Sequence, residues 1–392
     1  MSPKPRVGPL ASSPGKAPEL DVDALLDDPD TRIIVCCGSG GVGKTTTSAA
    51  LALRAAERGR KVVVLTIDPA RRLAQSMGIE KLDNTPRPVV GIAPGSGGSL
   101  DAMMLDMKRT FDEVVESGAS PEKAQQILEN PFYIALSSSF AGTQEYMAME
   151  KLGQLHRDAE KTGAYDLIVV DTPPSRSALD FLDSPERLSS FLDGRFIRIM
   201  LAPARGPARL MTAGLSLITG ALMKILGAQV LRDLQTFIAA LDTLFGGFRA
   251  RATKTFELLQ TDGTAFLVVA SPEADALREA AYFVERLDEE DMPLAGLVVN
   301  RASSTPAGAL SADEAMSAAT RLRRTDPESL TADLLRLHAD RVRMVERETY
   351  LRSRFTAAHP RVATVVVPAL STDVHDLDGL RRIGGLLSQR AE

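Results

Sequence analysis

Short runs of continuous apolar, mostly β-branched residues punctuate this chain, at Ile33 to Cys37, Lys61 to Ile67, Tyr165 to Val170, Ala265 to Ala270, Leu294 to Val299 and Ala363 to Val367. Runs without polar alternation belong to strands buried on both faces, which is the habit of parallel sheets. The long stretches between them carry helical spacing. Together they predict an α/β fold: a doubly wound, mostly parallel sheet with a helical subdomain. A further strand is expected over Leu100 to Leu105, after a flexible Gly95 to Ser99 connector, and helices over Phe111 to Leu155.

At 392 residues the chain exceeds one typical domain, yet a doubly wound sheet with helical insertions can use that length around one core. The expected division is one domain over 31–392, with helical subdomain segments near 107–160 and 181–257. Residues 1–30 have no apolar core of the length that a signal peptide needs. Rich in Pro, Ser, Gly and Ala and then acidic, they read as a flexible tail.

The first strand runs directly into Gly38-Ser39-Gly40-Gly41-Val42-Gly43-Lys44-Thr45, a complete phosphate-binding loop. Its glycines let backbone N–H groups approach phosphate oxygens that a Cβ would hold off. Lys44 adds a charge, and Thr45 opens a helix predicted to run to Arg58, its hydroxyl placed for Mg²⁺ and its N-terminus facing a triphosphate. Thr46 completes the nucleotide-binding set. ATP or GTP with Mg²⁺ is the expected ligand, and the fold class narrows to a P-loop NTPase.

Ligands of such sheets bind at the carboxyl ends of the strands, and two of the apolar strands end in aspartate. These are Asp68-Pro69-Ala70-Arg71-Arg72 and Asp171-Thr172-Pro173-Pro174-Ser175. In the functional reading Asp68 positions or deprotonates the attacking water, and Thr45, Asp68 and Asp171 are the candidate metal ligands. The bland reading makes both aspartates turn residues that end a strand.

In these motifs, with Ala141-Gly-Thr-Gln-Glu145, Val299-Asn300-Arg301 and Val367-Pro368, the chain resembles the ATPases that drive arsenical pumps and those that guide tail-anchored membrane proteins, in the deviant Walker-A group. The resemblance covers Arg32 to about Leu387. It implies ATP rather than GTP, a dimer closing around nucleotide, a cytoplasmic protein or one peripheral to the membrane, and adenine contacts around Asn300, Arg301 and Pro368.

Three departures qualify it. Ser39 stands where the family's loop carries a lysine that reaches the partner's phosphates. Either a lysine-bearing paralogue completes this site in a heterodimer, or the chain binds ATP with little hydrolysis, as a scaffold or regulatory subunit. Arg71 or Arg72 is another source of the missing charge, or simply a solvated helix start. Next, Cys36 and Cys37 are the chain's two cysteines, adjacent in a strand. They are too few and misplaced for an arsenite-binding thiol cluster or a Cys-x-x-Cys zinc clamp, and read as small core residues.

The third departure is Phe181 to Phe256, rich in Leu, Met and Phe, which is either an adaptable groove for an apolar client segment or core and dimer surface. Its longest uncharged piece, Leu210 to Met223, is too short to span a bilayer. Elsewhere, Asp373 to Asp378 is acidic enough for a metal but reads better as helix capping. A net charge of −5 gives no basic field for nucleic acid, which weighs against a DNA-partitioning ATPase.

Overall fold

The computed structural model describes residues 18–67, 72–93, 95–139, 143–173, 247, 250–306, 308 and 310–389. The strands are β1 (Ile33–Cys37), β2 (Lys61–Thr66), β3 (Arg87–Pro88), β4 (Ser99–Met104), β5 (Leu167–Asp171), β6 (Thr264–Ala270), β7 (Leu294–Ala302) and β8 (Thr364–Pro368). The helices are α1 (Val22–Asp27), α2 (Lys44–Glu57), α3 (Arg72–Ser76), α4 (Met107–Gly118), α5 (Pro121–Leu128), α6 (Pro131–Ser139) and α7 (Thr143–Thr162). After β6 come α8 (Ala274–Glu289), α9 (Ala312–Thr325), α10 (Leu330–Ala358) and α11 (Leu377–Leu387).

The strands form one sheet in the order β3-β4-β2-β5-β1-β6-β7-β8. All neighbours pair in parallel except β3, the two-residue edge strand, which runs antiparallel to β4. The continuous apolar runs occupy the middle: every residue of β1, β5 and β6 is buried. At the far edge β8 alternates between buried and half-buried positions, as a strand with one open side does. Chain order reverses around β1, with β5 on one side and β6 on the other, so the crevice of a doubly wound sheet opens above the end of β1.

Helix α2 follows β1 and is buried on nearly all sides. Its Ala49, Ala50, Leu51, Ala52, Leu53, Ala55 and Ala56 are all fully buried, and their small size lets neighbouring elements come close. Helix α11 packs on it with Gly384, where a Cβ would stand 3.5 Å from the Ala50 carbonyl oxygen. Asp376 caps α11 by accepting from the Gly379 N–H at 2.8 Å, so the acidic stretch 373–378 starts a helix.

The opening of the chain requires a correction. Residues 1–17 lie outside the described residues, but from Pro18 the expected flexible tail over 1–30 is folded. Pro18 and Leu20 hydrogen-bond Thr364 at the free edge of β8. Val22 and Leu26, one turn apart on α1, are fully buried. Asp23 takes a bidentate pair from Arg54 at 2.6 and 2.7 Å, and Asp27 pairs with Arg58, both on α2. These arginines hold both carboxylates below the usual range through their hydrogen bonds. The acidic residues therefore dock a helix, and their partners lie 31 positions further along the chain.

The helices over 107–162 share the core of the sheet. Met147, Met149 and Leu152 of α7 belong to the same buried cluster as the strands. Glu150, buried, accepts from Arg251 Nε at 2.9 Å, tying α7 to the helical stretch 250–259. Most of the apolar segment 181–257, up to residue 246, lies outside the described residues, together with Ala141 and Gly142. Among the described residues no helix is long and apolar enough to cross a membrane.

Cys36 and Cys37 are buried in β1. Burial pushes both thiols up to about 12, far from the thiolate form that nucleophiles and soft metal sites need. Iodoacetamide should accordingly leave the native chain unmodified at neutral pH and label both cysteines in urea. Rapid native labelling would contradict this packing.

Candidate functional site

The site is the turn between β1 and α2. Gly38 leaves the strand with φ +146°, and a Cβ there would lie 2.1 Å from the Val269 carbonyl oxygen of β6. Gly43 is the N-cap of α2 at φ +98°, and a Cβ there would strike the Asn300 amide at 2.2 Å. Both positions exclude side chains by space as well as by backbone conformation. Gly38→Ala should therefore destabilise the fold by about 1–3 kcal/mol, the usual cost of overpacking, read as a lower urea midpoint. An unchanged midpoint would contradict the close approach of loop and β6.

Lys44 opens α2 with only 6% of its surface exposed, and its ammonium donates to the carbonyl oxygens of Gly38 at 2.9 Å and Ser39 at 2.8 Å. The cation is thus folded over the mouth of its own loop. One residue on, Thr45 donates to Asp171 Oδ2 at 2.8 Å, and Thr66 of β2 donates to the same oxygen at 2.8 Å. Asp171 ends β5 and is completely buried. Its strand end is fastened on both sides: Thr172 donates its hydroxyl to the Cys36 carbonyl at 2.8 Å, and Ile67 N–H donates to the Asp171 carbonyl at 3.0 Å.

Thr45, near the start of α2, and Asp171, at the end of β5, come together although 126 residues separate them. Their donor set of one hydroxyl and one carboxylate is hard oxygen, which suits Mg²⁺ and leaves further positions for phosphate and water. Among the described residues no cluster of three or more His, Cys, Asp or Glu side chains could hold a metal by itself. Asp68 follows Ile67, the last described residue after β2, and lies outside the described residues with Arg71. Arg72 begins α3.

On the other flank β7 reaches the loop. The Asn300 amide donates to the Val42 carbonyl at 2.9 Å, and Arg301 donates to the Gly41 carbonyl at 3.0 Å. Pro368 ends the adjacent strand β8 and pairs with Ala302. Ser39, Gly40 and Gly41 form one side of a cleft of about 350 Å³ that Arg301, Glu273 and Glu348 also line. The Thr66 hydroxyl was not among the expected site residues. A hydroxyl inside the apolar run Val62 to Ile67 is a signal for it, since a buried hydroxyl needs a partner.

A glycine-rich loop between a strand and a helix, with an aspartate from β5 on its threonine, is an arrangement able to hold a nucleotide's phosphates. Residues 31–309, from β1 past the end of β7, match the model of the anion-transporting ATPase family. The chain belongs to that family. It is therefore an ATPase, and the eight-stranded, mostly parallel sheet is the expected fold. It is 27% identical over 291 residues to the ATPase get3 of Pyrenophora tritici-repentis, covering 73% of this chain and 77% of that protein. Identity is also 27% over 283 residues with the ATPase ASNA1 homolog of Cryptosporidium parvum, covering 72% and 68%. With the ATPase GET3 of Malassezia globosa it is 31% over 168 residues, 43% of this chain and 46% of that protein, so this alignment spans less than half of either.

Proposed function

We propose that this ATPase is a dimeric switch of the arsenical-pump and tail-anchor-guiding type with a deviant Walker-A loop, using ATP and Mg²⁺ and taking its trans-acting lysine from a paralogous partner. The observation that carries the proposal is selective loss. Lys44, Thr45, Asp68 and Asp171 are all present, with Thr45 hydrogen-bonded to Asp171, while Ser39, the position that serves a neighbour, has no cation. General decay of the site would not spare the residues that act in cis.

In this reading Lys44 leaves the Gly38 and Ser39 carbonyls and moves onto the phosphates, where it and the loop N–H groups neutralise charge. Thr45 and Asp171 would hold Mg²⁺, which would neutralise further charge on the phosphates. Asp68 orients the water and stands as a further metal ligand, and Asn300, Arg301 and Pro368 surround the adenine. The lysine of the partner supplies the remaining charge, and hydrolysis frees the segments after Asp68 and Asp171.

Apolar segments of client proteins, including membrane-protein tails, are the proposed cargo, supported by the composition of 181–256 and the family resemblance. The chain works in the cytoplasm or at the membrane periphery. Its buried thiols make arsenite an improbable ligand on chemical grounds. Ser39 also favours a second reading, a nucleotide-binding regulatory subunit that hydrolyses little, alone or paired. Turnover measured on the chain alone and after mixing with a lysine-bearing paralogue separates the two. A gain on mixing supports the heterodimer, and the absence of both gain and association contradicts it.

A further inference from the structure

The end of β7 departs from regular strand geometry at the residue that touches the phosphate loop. Asn300 pairs with Val367 and Ala302 with Pro368, leaving Arg301 as an extra residue in a bulge. Arg301 has φ +62°, one of two positive values for a non-glycine residue among the described residues. In an unbroken strand the side chains of 300 and 301 would point to opposite faces. The bulge instead sends both to one target: Asn300 to the Val42 carbonyl and Arg301 to the Gly41 carbonyl, at 2.9 and 3.0 Å.

Consecutive carbonyls are captured, and peptide planarity gives this a consequence. In a trans peptide the C=O of one residue and the N–H of the next point in opposite directions. Drawing the Gly41 and Val42 carbonyls toward β7 turns the N–H groups of Val42 and Gly43 away from β7. Strain at a left-handed arginine is the kind retained where it serves a site.

We infer that Asn300 and Arg301 are positioning residues, a two-pronged latch that sets the orientation of the loop amides and hence the affinity for the triphosphate itself. The inference rests on the proposed nucleotide site and assigns these side chains a task independent of the base. The bulge is in turn anchored to α10. Glu348 accepts from the Ser303 N–H at 2.7 Å and from its hydroxyl at 2.8 Å, fixing the strand just beyond the latch.

The test uses a ligand with no base. Calorimetry compares Mg·ATP and Mg·tripolyphosphate binding to the full chain and to Asn300→Ala and Arg301→Ala, with thermal melts to verify folding. The latch predicts that each variant weakens Mg·tripolyphosphate as well as Mg·ATP, by about tenfold or more, as loss of a hydrogen bond that organises an anion site would, and any further loss for ATP reports the adenine contact. Asn300→Ala removes no charge, so its effect on tripolyphosphate separates orientation from electrostatics. Arg301 is exposed, and Arg301→Ala keeps the test available if the buried Asn300 variant fails to fold. Arg301→Lys, which retains a donor, should restore most of the affinity. Loss of ATP affinity with tripolyphosphate binding unchanged would overturn the latch in favour of a base contact, and unchanged affinity for both ligands would overturn it outright. If the wild-type chain binds neither ligand, the nucleotide site itself fails and the latch falls with it.

Discussion

Lys44→Ala lowers ATP turnover by about 10²–10³-fold, the range for removing one preorganised group that stabilises transferring charge. Lys44 is only 6% exposed and its ammonium is hydrogen-bonded to two carbonyls, so it has exchanged part of its water shell for protein before nucleotide arrives. Moved onto the phosphates, such a charge acts in a low-dielectric setting where its interactions are strong. The folded variant should also lose nucleotide affinity. Lys44→Arg should not rescue it, because a planar guanidinium is larger and cannot take the place of a compact ammonium between the Gly38 and Ser39 carbonyls. Turnover within a few-fold of wild type, measured by phosphate release on material with a native circular dichroism spectrum, would remove Lys44 from the chemistry.

Ser39→Lys has the opposite sign. It restores the missing trans cation, and comparable fingers contribute on the order of 10³-fold or more in rate, so turnover by the chain alone should rise steeply if two copies associate. Ser39 lines the cleft and Lys44 donates to its backbone carbonyl, so an introduced side chain at 39 need not displace the resident lysine. A complementation arm isolates the trans effect. The double variant Ser39→Lys, Lys44→Ala is inactive alone, yet mixed with wild type it offers its introduced lysine to a site that retains Lys44. Turnover above that of wild type alone should appear only in the mixture. No gain in either the single variant or the mixture would argue that hydrolysis here does not wait on a neighbour's cation.

The parts legible in the sequence are those whose signal is local. Unbroken apolar runs place the buried strands to within three residues, and the loop motif places Lys44 and Thr45 at the start of α2. Asp171 could be matched to Thr45 because both sit where strand ends must converge. Less legible were features whose partners are distant. The helix α1 looked like a solvated acidic tail because Arg54 and Arg58 lie far along the chain. The edge strand β3 is only two residues long, Arg87 and Pro88, and has no apolar period to read. The bulge at Arg301 is invisible to any pattern, since nothing about arginine favours a positive φ and only the loop beside it explains the conformation. For Asp68 the site reading still rests on the sequence.

The most direct measurement is calorimetric titration of Mg·ATP into the folded wild-type chain, repeated with Lys44→Ala. Saturable binding at one site per chain, lost or strongly weakened in the variant, is the predicted result. A well-folded wild-type chain with no affinity for adenine nucleotide would contradict the assignment of the loop, the metal pair and the proposed switch together.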